Sequence, residues 1–89
     1  MTFPATKKQT FHYVYILQSE IDPSRFYTGL TADLETRLKA HNAGQNHHTA
    51  KFKPWKIKSA VAFEKNQKAR DFERYLKSPS GRAFAKKHL

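Results

Sequence analysis

Residues 11–30 read FHYVYILQSEIDPSRFYTGL. Two short runs in this stretch, Tyr13-Val14-Tyr15 and Phe26-Tyr27-Thr28-Gly29, are built from residues that fit a pleated, half-buried surface. Asp22-Pro23-Ser24 between them carries turn chemistry, which lets the second run fold back beside the first. Side chains alternate along a strand, so Tyr13, Tyr15 and Leu17 share one face while His12, Val14 and Ile16 share the other. Tyr27 and Gly29 share a face of the second strand. Tyrosines at two strand positions, with a glycine that admits close approach, suit plain packing or one wall of a site.

Downstream of the hairpin, Thr31 or Asp33 can cap a helix that Asn42-Ala43-Gly44 stops. At 100° per residue Leu34, Leu38, Arg37 and His41 fall in one stripe, so two cationic or titratable side chains share the face of two leucines. Glu35 and Lys39 form an ordinary solvent-side pair. Gln45 to Trp55 reads as a loop, with Pro54 preventing regular structure at its end. His47 and His48 are adjacent there, and exposed loop histidines are the stronger reading than a metal site. Lys51, Lys53 and Lys56 interleave with Phe52 and Trp55. That pattern suits phosphate contact with base stacking, or equally a loop pinned to the core by its aromatics.

Ile57 to Glu64 alternates apolar and polar positions and predicts a third strand. Asn66 can cap a helix running to about Lys77 whose apolar positions are Ala69, Phe72 and Leu76. Arg70, Arg74 and Lys77 form a basic stripe beside them. Glu73 lies inside the apolar arc, where a carboxylate needs a cation, a hydrogen-bond network or a metal. An ion pair with Arg37 or Arg70 is the plain structural explanation. Ser78-Pro79-Ser80-Gly81 breaks the chain, and Ser80 can cap a final helix over Arg82 to His88, with Phe84 docked on the body and Lys86 and Lys87 facing out.

The 89 residues suffice for one modest core. The expected division is a flexible polar tail over residues 1–10 and a single domain over 11–89. No apolar run approaches the roughly 20 residues that span a bilayer, and MTFPATKKQT lacks the apolar region of a secretory signal. With no cysteine, disulfide and thiolate chemistry are excluded, and a cytoplasmic location is expected. Lys+Arg number 17 against 7 Asp+Glu, a net charge of +10, and the excess is lopsided. Residues 1–48 hold five basic and four acidic side chains; residues 49–89 hold twelve and three. A half that basic attracts polyanions, nucleic-acid phosphates above all, and no amphipathic anchor or lipidation signal supports a membrane surface. GxxxxGK, GxGxxG, HExxH and CxxC are all missing, so nucleotide hydrolysis and zinc chemistry have no support.

Arg37 and His41 on one helix and Glu73 on another therefore break apolar patterns, with the hydroxyls of Tyr15 and Tyr27 at hand. Phosphodiester hydrolysis needs such an inventory: a base or water-positioner, a cation for the anionic transition state, and a carboxylate for a metal. A single carboxylate suits Mg²⁺, which keeps most of its waters.

Tyr13-Val14-Tyr15, Tyr27-Thr28-Gly29, then Leu34, Arg37, His41-Asn42-Ala43-Gly44 and Ala69-Arg70-x-x-Glu73-x-x-x-Lys77 resemble the GIY-YIG nuclease superfamily, and its small stand-alone single-domain bacterial members in particular. The resemblance runs over roughly residues 11 to 88. It implies an α+β fold, a central three-stranded antiparallel sheet flanked by helices, and a Mg²⁺- or Mn²⁺-dependent endonuclease acting on DNA. It further implies that Glu73 binds the metal, that Tyr15 or Tyr27 helps deprotonate the attacking water, that Arg37 stabilises phosphate charge, and that His41 assists proton transfer or orients water. Tyr13 stands where the motif name has glycine and Thr28 where it has isoleucine; both fit a strand. Relatives with known tasks usually carry an extra recognition domain. None is expected here, which leaves specificity to the substrate or to a protein partner. Lys51, Lys53, Lys56, Arg70, Arg74 and Lys77 are the expected nucleic-acid contacts. The competing reading is a non-catalytic DNA- or RNA-binding module in which the same residues form a structural ion-pair network.

Overall fold

The computed structural model of the chain describes residues 10–89, so the tail expected over residues 1–10 lies outside the described residues except for Thr10. Strand β1 spans His12–Ser19 and β2 spans Phe26–Thr31. They pair antiparallel, Tyr15 opposite Gly29 and Leu17 opposite Tyr27. The turn is held by Asp22, whose carboxylate accepts from the Ser24 amide at 3.2 Å and hydroxyl at 2.6 Å. Strand β3, Trp55–Phe63, pairs antiparallel with the other edge of β1, giving a three-stranded sheet ordered β2-β1-β3. This is the expected α+β architecture.

Alternation along β1 splits the interior in two. Val14 and Ile16 face α3 (Asn66–Leu76) and α4 (Pro79–His88), where Ala69, Leu76, Phe63, Phe72 and Phe84 close a core. Tyr15 and Leu17 face the opposite side, covered by Leu34 and Leu38 of α1 (Leu34–Asn42), with Trp55, Phe52 and Tyr27. Each fully buried aliphatic side chain stabilises by about 1.5–3 kcal/mol. Phe84 docks on the body, and Lys86 and Lys87 are exposed, as the sequence predicts.

The bounds of α1 fall where expected, and several other boundaries differ, each for a local reason. Asp33, not Thr31, caps α1, its carboxylate accepting from the Thr36 amide at 3.1 Å. Gly44, at φ 78°, ends that helical segment in the left-handed region glycine favours. Residues 45–55 are not a plain loop: His47–Ala50 form a one-turn helix, α2, capped by Asn46, whose side chain accepts from the His48 amide at 2.9 Å. Asn66 opens α3 instead of capping it, the cap position being Lys65. Ser78 rather than Ser80 caps α4, and Pro79 sits in its first turn, where its missing N–H costs nothing. In β3, Ser59, Val61 and Phe63 face inward while Ala60 and Ala62 are exposed. A register shift opposite Ile16/Leu17 interrupts the alternation and leaves Ile57 exposed. No helix among the described residues is long and apolar enough to cross a membrane.

Candidate active site

The hairpin puts Tyr15 and Tyr27 on the face that α1 covers. Gly29 makes this possible. A Cβ there would overlap the Tyr15 ring and hydroxyl, so the strand-pair partner of Tyr15 has to be glycine for the ring to lie across β2. His41 comes from the last turn of α1 and packs against both tyrosines, with ring centroids 4.8 Å from Tyr27 and 6.1 Å from Tyr15.

Burial forces these polar groups to satisfy one another. Tyr15 is 2% exposed, His41 0% and Thr49 1%. The Tyr15 hydroxyl lies 3.1 Å from His41 Nε2, and His41 Nδ1 lies 2.8 Å from Thr49 Oγ1. Thr49 Oγ1 also donates to the Asn46 carbonyl at 3.3 Å. Thr49 is itself held, because Trp55 Nε1 donates to its carbonyl at 2.8 Å. Asn42 in turn clamps the Trp55 backbone, accepting from its amide at 2.6 Å and donating to its carbonyl at 3.1 Å.

Charge adjusts the cluster further. Burial, and then the positive charge of Arg37, hold His41 below the usual histidine range, so its imidazole is neutral near pH 7. Burial pushes the Tyr15 phenol up, against an opposing hydrogen bond from Arg37; the negative charge of Glu73 also acts on it. The Arg37 guanidinium is raised in turn, chiefly by its hydrogen bond with the Tyr15 hydroxyl. Arg37 is exposed, and so stands at the rim of the α1 stripe instead of inside it. Arg37, Ala40, Gln45, Asn46 and His47 border a cleft of about 350 Å³ that reaches His41.

Glu73 is half-buried on α3, and its carboxylate pairs with Lys77 Nζ at 2.8 Å. The ion pair expected with Arg37 or Arg70 is therefore made instead with the lysine one turn on, a spacing that i and i+4 positions favour. No group of three or more His, Cys, Asp or Glu side chains converges as a metal cage among the described residues. That donor set does not fit zinc, which takes three or four protein ligands. It fits Mg²⁺, which keeps several waters and binds through one or two carboxylates plus substrate oxygens.

The basic residues divide. Lys51, Lys53, Lys56, Arg70, Arg74 and Lys77 are all exposed. The aromatics among the loop lysines are not available to stack on bases: Trp55 is 4% exposed in the core, and Phe52 packs on it beneath the Arg25 guanidinium, 4.7 Å from the ring centroid. They pin the loop. A second assembly was not legible in the sequence. A groove of about 870 Å³ beside Tyr27 is bordered by Arg25, Lys58, Lys77, Arg82 and Lys86 and by no acidic residue. Exposed Phe26 stands in it with Lys58 Nζ 5.0 Å from its ring centroid. Residues far apart in sequence meet here because α4 packs back against α3 beside the hairpin. Thr49 and Asn46 were likewise missed. The signal for them was the buried histidine itself, which needed partners for both ring nitrogens.

A three-stranded antiparallel sheet flanked by helices, with Tyr15, Tyr27 and His41 packed together on one face and the charges of Arg37 and Glu73 acting on the Tyr15 phenol, defines the class as a small α+β catalytic domain. Residues 11–87 match the family described as the GIY-YIG catalytic domain, and the chain belongs to that family. It is similar to the structure-specific endonuclease subunit SLX1 of Meyerozyma guilliermondii, 38% identical over 76 residues that cover 78% of this chain and 25% of that protein. The subunit of that name from Scheffersomyces stipitis is 46% identical over 54 residues, 54% of this chain and 16% of that protein. The chain thus spans a quarter or less of the length of these two relatives. A UPF0213 protein of Halalkalibacterium halodurans is 35% identical over 72 residues, 80% of this chain and 74% of that protein. No solved structure matches.

Proposed function

We propose that the chain is a metal-dependent endonuclease that hydrolyses phosphodiester bonds in DNA, in repair or recombination. The observation that carries this reading is the convergence of Tyr15, Tyr27, Arg37 and His41, with Glu73 near enough for its charge to act on the Tyr15 phenol. The SLX1 relatives, named as structure-specific endonuclease subunits, support the same reaction class.

In this reading Arg37, exposed and raised in pKa, remains a cation throughout and neutralises charge on the phosphoryl oxygens. A water aligned by the Tyr15 hydroxyl attacks phosphorus. Its proton passes to the phenol oxygen while the phenol proton moves to His41 Nε2. Tyr27, packed at a tilt against His41, narrows the site and offers a second hydroxyl to water or substrate. Glu73 would hold Mg²⁺ or Mn²⁺, which would supply positive charge to offset that of the anionic transition state. Lys77, paired with Glu73 at 2.8 Å, restrains that carboxylate's orientation. The groove of Arg25, Lys58, Lys77, Arg82 and Lys86 carries the phosphate backbone, assisted by Lys51, Lys53, Lys56, Arg70 and Arg74 elsewhere on the surface. A protein partner would add specificity.

The second reading, a DNA- or RNA-binding module without chemistry, is favoured only by the basic groove. A panel of duplex, single-stranded, flapped and four-way DNA, with and without Mg²⁺, separates the two. Metal-dependent cleavage of any member supports the endonuclease. Salt-sensitive binding of all members, with no cleavage of any, supports the module.

A further inference from the structure

The buried hydrogen-bond series has one end whose chemistry sets its direction. The Asn46 carbonyl can only accept, and the Thr49 hydroxyl bonds it at 3.3 Å. Thr49, with its own proton turned to Asn46, presents a lone pair to His41 Nδ1 at 2.8 Å. That asks for a proton on Nδ1. Neutral imidazole carries one ring proton, so Nε2 is then bare, 3.1 Å from the Tyr15 hydroxyl, which can donate to it.

We infer that Thr49 is a positioning residue that locks His41 in the Nδ1–H tautomer, so that the Nε2 lone pair is aimed at Tyr15 and ready to take its proton. This deepens the endonuclease reading and rests on it for its catalytic meaning. Which imidazole nitrogen carries the proton is set by the bond the other nitrogen makes. The proton balance closes with Tyr15, His41 and solvent. As the water oxygen bonds to phosphorus, its proton moves to the Tyr15 oxygen and the Tyr15 proton moves to Nε2. The bond to the leaving oxygen breaks, and that oxygen takes a proton from solvent. His41 becomes an imidazolium that still donates from Nδ1 to Thr49, whose own hydroxyl goes on donating to the Asn46 carbonyl. The Trp55 and Asn42 bonds explain how so short a helix holds Thr49 in place: the carbonyl of Thr49 is anchored to a core indole.

The test is ¹⁵N NMR of the histidine-labelled full chain, read alongside cleavage of a DNA substrate. Wild type is expected to show His41 with a protonated Nδ1 and an unprotonated Nε2 at pH 7.5. Thr49→Val, similar in shape but without the acceptor, is expected to move the proton toward Nε2 and to lower kcat by about 10–100-fold with KM unchanged. Its acid limb is also expected to shift to lower pH, because the imidazolium has lost its acceptor. Thr49→Ser is expected to restore tautomer, rate and pH profile together. Wild-type His41 protonated on Nε2, or an unchanged tautomer in Thr49→Val, overturns the proposal. So does a rate loss in Thr49→Val that only tracks its melting temperature. The tautomer is measured without substrate. Should wild type cleave no DNA, the endonuclease reading fails, while the spectrum still decides whether Thr49 sets the tautomer.

Discussion

Gly29→Ala is the smallest change that strikes the centre of the site. The added methyl overlaps the Tyr15 ring and hydroxyl, and Tyr15 has no room to yield because it is 2% exposed under α1. Forcing a methyl into a packed core costs about 1–3 kcal/mol. Displacing the phenol breaks its bond to His41, which adds roughly 1 kcal/mol. The total is about 2–4 kcal/mol, or on the order of 10–30 °C in melting temperature for a domain of this size. The same displacement misaligns the proposed water-activating group, so cleavage falls by about 10²–10⁴-fold. Urea denaturation and single-turnover nicking of labelled DNA read the two effects separately. Combination with Tyr15→Phe sharpens the argument. That variant has already lost the hydroxyl, so adding Gly29→Ala should slow cleavage little further, yet still destabilise because the Cβ meets the ring carbons. Gly29→Ala with wild-type melting and cleavage, or rate losses that simply multiply in the double variant, would refute the reasoning.

Two other outcomes follow from the structure. His41 is depressed in the folded state, so the folded protein binds fewer protons than the unfolded chain as pH falls below the ordinary histidine value of about 6.5. Its contribution to stability is present above that pH and is lost on acidification through the folded value; melting temperatures from pH 8 to 4.5 should show a decline that His41→Gln flattens. Neutralising Arg25, Lys58, Arg82 and Lys86 to Gln should weaken DNA binding and reduce its salt slope by about four, whereas the same change at Lys51, Lys53 and Lys56 should act less. Equal losses from the two sets, in salt titrations monitored by fluorescence anisotropy, would remove the groove from the account.

The hairpin was legible because strand alternation and turn chemistry are local. Val14 and Ile16 fall on one face and Tyr15 and Leu17 on the other, as the period of two requires. His41 and Glu73 were legible as polar residues on apolar helical stripes. What those residues pair with was not. Glu73 lies within reach of several cations in projection, and only the rotamers select Lys77 over Arg70 or Arg37. Helix α2 escaped because one turn has too few residues to show a period, and Thr49 escaped with it. Trp55 and Phe52 alternate with lysines in a pattern that fits both stacking and anchoring, and tertiary burial decided for anchoring. The groove depends on where α4 lands, which no local pattern encodes.

The central claim is that Glu73 serves a metal in phosphodiester cleavage. Its ion pair with Lys77 is an i,i+4 pair with a lysine that is more than half exposed, so Glu73→Gln should leave the melting temperature nearly unchanged. The deciding measurement is the single-turnover cleavage rate of wild type and Glu73→Gln with Mg²⁺ on whichever DNA wild type cuts best, with binding affinity measured in parallel. The account predicts binding within about threefold of wild type and cleavage reduced by at least about 10²-fold. Cleavage by Glu73→Gln at the wild-type rate would contradict it.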